Sequence, residues 1–162
     1  MQQQPIWRLW FFLWAILVVQ TTWLARVELF GAHLDLPLLA TVAVALLLGA
    51  ETGAAFGLTA GVLTGFIAGA SLGSFAFSRL IVGSAFGFFD RRFSSDNPLA
   101  PPLCAAGATL LSSVVFLALS PDNFSLEAWP RRVLIEMGLN ALFVWPVYLA
   151  VNRLVPPARA MV

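Results

Sequence analysis

Apolar residues run in long blocks broken by short polar groups, and that spacing predicts six helices. The blocks cover residues 6–24, 36–48, 54–70, 75–89, 103–119 and 131–152. A helix needs about 20 apolar residues to cross the hydrocarbon core of a bilayer. The stretch 36–72 carries a single charge, Glu51, and is too long for one span. Its expected break is Gly49-Ala50-Glu51-Thr52-Gly53, where turn residues and the charge coincide. The first block opens at Pro5, a residue tolerated at a helix start. Trp7, Trp10 and Trp14 stand near one of its ends and Trp23 at the other, an aromatic belt for both interfaces. No small-x-small cleavage site follows, so this block reads as an uncleaved first helix and not as a signal peptide. A turn at Ser71-Leu72-Gly73-Ser74 leads into helix four, which ends at Asp90-Arg91-Arg92. Ser120-Pro121-Asp122-Asn123 is a strong turn signal, and residues 125–129 are expected to form a short interfacial helix. The Trp145-Pro146 step is expected to kink helix six.

Across residues 49–73 glycine recurs at every fourth position: Gly49, Gly53, Gly57, Gly61, Gly65, Gly69 and Gly73. An internal Gly costs a soluble helix about 1 kcal/mol relative to Ala. Between membrane helices it has a use, because it lets a neighbouring backbone approach closely. Positions four apart share a helical face and drift by roughly 40° per step. Gly57, Gly61, Gly65 and Gly69 should therefore form a bare groove on helix three, and Gly83 and Gly87 repeat the spacing on helix four. Packing within the bundle is the first reading of these faces. Docking of a partner's helix is the second.

Composition settles the class. Hydrophobic residues make up 60% of the chain, charged residues 10%, and mean hydropathy is +0.88. Soluble domains carry near 25% charged residues, so the expectation is all-α: one polytopic membrane helical bundle of about six transmembrane helices over residues 1–162. All nine basic residues are Arg, and the net charge of +1 gives no reason to expect nucleic acid as a partner. One His and one Cys make a metal site improbable, and no cofactor is expected. His33 reads as a loop residue at a membrane surface, and Cys104 as a thiol in an apolar helix. With six spans both termini share a side. That side holds Arg8, Arg91, Arg92, Arg153 and Arg159 against Arg26, Arg131 and Arg132 on the other, which favours cytoplasmic termini.

Two ionisable residues fall inside predicted spans, Arg79 in helix four and Glu136 in helix six. Each sits roughly 7 Å below the outer interface by helix rise. A charge near mid-bilayer costs about 3 kcal/mol on insertion scales, so the shared depth suggests an Arg79–Glu136 pair. The alternative has Arg79 snorkelling outward while Glu136 pairs with Arg132 one turn earlier. Glu51 reads as a solvated turn residue on the cytoplasmic side. The sequence offers no nucleophile beside a base, no paired carboxylates, and no phosphate loop, since the glycine ladder lacks a following Lys-Ser/Thr. No enzyme is expected.

Four segments occur in a telling order. His33-Leu34-Asp35-Leu36-Pro37-Leu38-Leu39 enters helix two, and Gly57-Leu58-Thr59-Ala60-Gly61 through Gly65-Phe66-Ile67-Ala68-Gly69 follows. Next come Leu72-Gly73, Ser78-Arg79-Leu80 and Ile81-Val82-Gly83. Last are Leu139-Asn140-Ala141-Leu142, Pro146 and Asn152-Arg153-Leu154. Taken in order over residues 34–154, they resemble the bacterial rod shape-determining MreD family. Members of that family often carry an acid between the glycine-rich helix and the Leu-Gly turn. Here Gly69-Ala70-Ser71-Leu72 is neutral, so no role of that acid carries over. The resemblance implies a non-catalytic inner (plasma) membrane scaffold of the cell-wall elongation complex that synthesises peptidoglycan and sets rod shape. Its implied partner is MreC, a single-span protein with a periplasmic domain, with the elongation polymerase and transpeptidase as neighbours.

A second class shares these broad features: the substrate-binding membrane subunit of an energy-coupling-factor vitamin transporter. Such a subunit would need a polar and aromatic pocket near the outer surface, for which Trp129, Asn123, Arg79 and Glu136 are the candidates. Short outward loops with few hydrogen-bonding groups count against it. A lipid-modifying enzyme is the weakest reading, for want of a catalytic set.

Overall fold

The computed structural model describes residues 6–24, 31–69, 71–89, 97–120 and 128–155. Their regular elements are helices: α1 (Ile6–Thr22), α2 (Leu36–Leu48), α3 (Ala50–Ala68), α4 (Leu72–Gly87), α5 (Ala100–Leu119) and α6 (Trp129–Leu154). Together they form a helical bundle. Three of them, α3, α5 and α6, are long and apolar enough to cross a membrane. The others are shorter, at 17, 13 and 16 residues for α1, α2 and α4.

The shortest helix is the centre. A helix apolar on every side is a buried helix, and α2 is buried without interruption from Pro37 to Leu47. Every other helix packs on it. Leu9, Leu13, Ile16 and Leu17 form the inward stripe of α1, while Trp7, Phe11 and Trp14 face outward. Large apolar side chains are exposed on the other described segments as well, among them Phe66, Phe88, Leu103, Leu134 and Leu142. Apolar cover on this scale is not a soluble monomer's surface.

Helix boundaries shift from the sequence expectation where a single residue does the work of a turn. Gly49, at φ +89°, ends α2 and begins α3, so no five-residue break is needed. Glu51 thus lies exposed in the first turn of α3, where a carboxylate favours the helix dipole, and not in a turn between helices. The next connection is also short. Gly69 caps α3 at φ +65°, and Ser71 caps α4 at φ +47°. α5 starts at Ala100, earlier than expected, with Pro101 in its first turn, where a missing N–H goes unnoticed. α6 continues through Pro146 to Leu154. The interfacial helix expected over 125–129 falls mostly outside the described residues, and its last residue, Trp129, is the first of α6.

α3 and α4 are antiparallel, and their seam is made of glycine. A methyl group built on Gly57 would strike the Arg79 carbonyl oxygen, and one on Gly61 the Phe75 carbonyl oxygen. At Gly65 it would lie 2.6 Å from the Leu72 Cα. From the other side, Gly83 meets the backbone of Gly53, and Gly87 the backbone of Ala50. α4 itself therefore fills the groove on α3. Neither this groove nor the Gly83/Gly87 face is open to a partner's helix, because each is covered by the other. Gly69 does not belong to the seam: nothing approaches its Cβ position within 4 Å, and its role is the left-handed helix cap.

Candidate functional site

Polar side chains gather at one end of this apolar bundle, where α1, α3 and α5 end and α2, α4 and α6 begin. Asp35 is the first piece. It stands immediately before an apolar run with Pro37 in the first helical turn, the pattern of an N-cap, and its Oδ1 accepts the Leu38 N–H at 3.0 Å. Gln20, in the last turn of α1, fastens the same entry: its Nε2 donates to the Leu34 carbonyl at 2.9 Å and its Oε1 accepts the Leu36 N–H at 3.0 Å.

Arg79 arrives from α4. Only 1% of its surface is exposed, and a guanidinium so deeply buried needs a partner. Its Nη2 donates to both Asp35 oxygens at 2.8 Å. The glycine seam makes this reach possible, since Gly57 lies directly against the Arg79 backbone. Asn140, buried in α6, completes the joint. Its Oδ1 accepts the Asp35 N–H at 3.3 Å, and its Nδ2 donates to Thr109 Oγ1 of α5 at 2.9 Å. Thr109 in turn donates to the Ala105 carbonyl at 2.8 Å. One connected set of hydrogen bonds thus joins α2, α4, α5 and α6. Asn140→Ala is expected to lower unfolding free energy by about 1–3 kcal/mol, because it leaves the Asp35 N–H without its acceptor and removes the bond to Thr109. Thermal unfolding in mild detergent checks this.

The expected Arg79–Glu136 pair does not form. Arg79 pairs with Asp35, and Glu136 Oε1 accepts from Arg132 Nε at 2.8 Å one turn back on its own helix. The reason is lateral position: α2 packs against both α4 and α6 and stands between them, so its N-cap carboxylate is nearer to Arg79. Both residues line the same end of the bundle, yet a shared height does not choose a neighbour.

Both pairs nevertheless border one cavity of about 470 Å³. Arg79 and Asp35 form one wall, and Arg132, Glu136 and Trp129 of α6 another. Phe75 and Phe116, ring centroids 4.8 Å apart, lie between α4 and α5, beside Ser112 and Ser113. His33 also lines this space. Cys104 is buried in α5 and does not reach it. Among the described residues no three His, Cys, Asp or Glu side chains come together as a metal set. Asn123, the fourth residue suggested for a pocket, lies outside the described residues.

Gln20, Asp35, Thr109 and Asn140 are the members of this site that the hydrophobic pattern did not single out. Asp35 carried a readable signal in its N-cap position. Asn140 stood as an amide in the middle of a long apolar span, a placement that asks for a hydrogen-bonding partner.

Compared with models of known protein families, with characterised proteins and with solved structures, the chain matches none.

Proposed function

We propose that this chain is a non-catalytic, multi-pass subunit of the bacterial inner membrane, with both termini cytoplasmic, that serves the cell-wall elongation complex as an MreD-type scaffold. The observation that carries this reading is the joint. Asp35, Arg79 and Asn140 come from three separate segments of the family resemblance, more than a hundred residues apart at the extremes, and Asp35 bonds to both of the others. Segments that share an order across a family are expected to be the joints of its fold. The exterior of large apolar side chains suits a bilayer, and six spans would require the shorter helices to tilt little or to thin the bilayer locally. In this orientation the polar end of the bundle faces outward, toward the periplasmic domain of MreC. MreC's membrane helix would dock on an outward apolar face, since the α3–α4 seam is closed. Solubilisation in mild detergent followed by affinity capture is expected to recover MreC with elongation enzymes. Recovery of ATPase subunits and a vitamin, without cell-wall proteins, would overturn the assignment.

One observation favours the vitamin-transporter reading as second choice. Trp129, Arg79 and Glu136, three of the four residues suggested for its pocket, line a common cavity at the end that would face outward.

A further inference from the structure

The cavity at the polar end has an imbalance. Arg79 Nε, Arg79 Nη1 and Trp129 Nε1 are buried without a hydrogen-bond partner, and all three are donors. No buried side-chain acceptor among the described residues shares that state. The Phe75 ring lies over the guanidinium, 5.2 Å from centroid to Cζ, and gives it a weak cation–π contact where a hydrogen bond is missing. Whatever completes this site must bring oxygen lone pairs. An oxyanion does this best, because charge-assisted hydrogen bonds to guanidinium are the strong ones.

A bare anion, however, would meet the wrong neighbours. Asp35 and Glu136 border the same cavity, with side chains 33% and 17% exposed, and their charges match those of Arg79 and Arg132. A neutral site with a stranded donor group and a partly exposed carboxylate on each of two walls fits a group carrying both signs. We infer that the cavity binds a phosphoethanolamine group, its phosphate oxygens on Arg79 and Trp129 and its ammonium on Asp35 and Glu136. The phosphate displaces the Phe75 ring from the guanidinium, and the apolar wall of Phe116 and Val133 takes the carbon chain beside it. Two sources carry this chemistry: a phosphatidylethanolamine headgroup and soluble glycerophosphoethanolamine. The inference does not rest on the elongation-complex reading, and failure to capture MreC leaves it standing.

The test uses the full chain, purified and delipidated in mild detergent. Short-chain phosphatidylethanolamine, short-chain phosphatidylglycerol, glycerophosphoethanolamine and inorganic phosphate are titrated separately, with retained lipid read by native mass spectrometry. Phosphatidylethanolamine is expected to bind roughly tenfold more tightly than phosphatidylglycerol, a difference of one charged hydrogen bond. Trp129→Phe keeps the ring and removes the donor, so it should weaken binding roughly three- to tenfold without lowering thermal stability. Glu136→Gln should erase most of the preference between the two lipids. Binding of glycerophosphoethanolamine alone would support the site and make the ligand a soluble one. Equal retention of both lipids, binding of inorganic phosphate only, no binding, or unchanged affinity in Trp129→Phe would each overturn the inference and leave a water-filled cavity.

Discussion

Gly57→Ala is expected to destabilise the bundle by about 2 kcal/mol, while the same substitution at Gly138 stabilises it by up to about 1 kcal/mol. Both glycines lie inside helices, so both gain helix propensity on replacement. They differ in what the new methyl group meets. At Gly138 nothing lies within 4 Å. At Gly57 it strikes the Arg79 carbonyl oxygen and comes within 2.8 Å of Thr41 Cγ2, so α3 is pressed against α4 and α2 together. A backbone carbonyl in a helix has no rotamer to escape into, and overpacking of this kind outweighs the propensity gain. The change also pushes Arg79 away from Asp35. Comparison of the two variants by thermal unfolding in mild detergent reads the difference directly, and equal stabilities would show that the seam is looser than described.

Asp35→Ala should be the most damaging single change at the polar end, at about 3 kcal/mol or more. It removes the N-cap of α2, worth about 1 kcal/mol, and it leaves the buried guanidinium of Arg79 without its counter-ion. Arg79→Met should cost less, about 1–2 kcal/mol. It takes away a charge whose side chain is only 2% exposed and leaves Asp35, at 33% exposed, able to keep water and its cap bond. Two partners of one ion pair are thus expected to differ because they differ in burial. A larger loss for Arg79→Met than for Asp35→Ala would contradict this reading.

Much of this fold is legible in the chain, and the illegible parts have physical causes. Periodicity finds helices, because a run of apolar residues long enough to be buried or to cross a membrane has few other solutions. It also finds the glycine seam, since the residues that let backbones touch must recur on one face. The same period cannot tell a packing glycine from a capping one. Gly65 and Gly69 are one step apart on the ladder, yet the first lies against Leu72 and the second turns the chain at φ +65°. Boundaries moved because Gly49 and Ser71 accept positive φ, so that one residue separates α2 from α3 and three separate α3 from α4. The polar joint stayed hidden for another reason: its members are set by which helices are neighbours around the axis. Sequence gives each charge its height in the bundle and leaves its lateral company open. The central place of α2 brings Asp35 to Arg79 and keeps Glu136 on its own helix with Arg132.

That α4 locks to the N-cap of α2 through one ion pair, across 44 residues of chain, is the claim on which fold and function both lean. A double-mutant cycle of Asp35→Ala and Arg79→Met, followed by unfolding in mild detergent, tests it most directly. Contacting charges should couple, so the double variant is expected to be more stable than the sum of the single losses predicts by about 2 kcal/mol. Losses that add to within about 0.5 kcal/mol would mean that the two side chains do not hold each other.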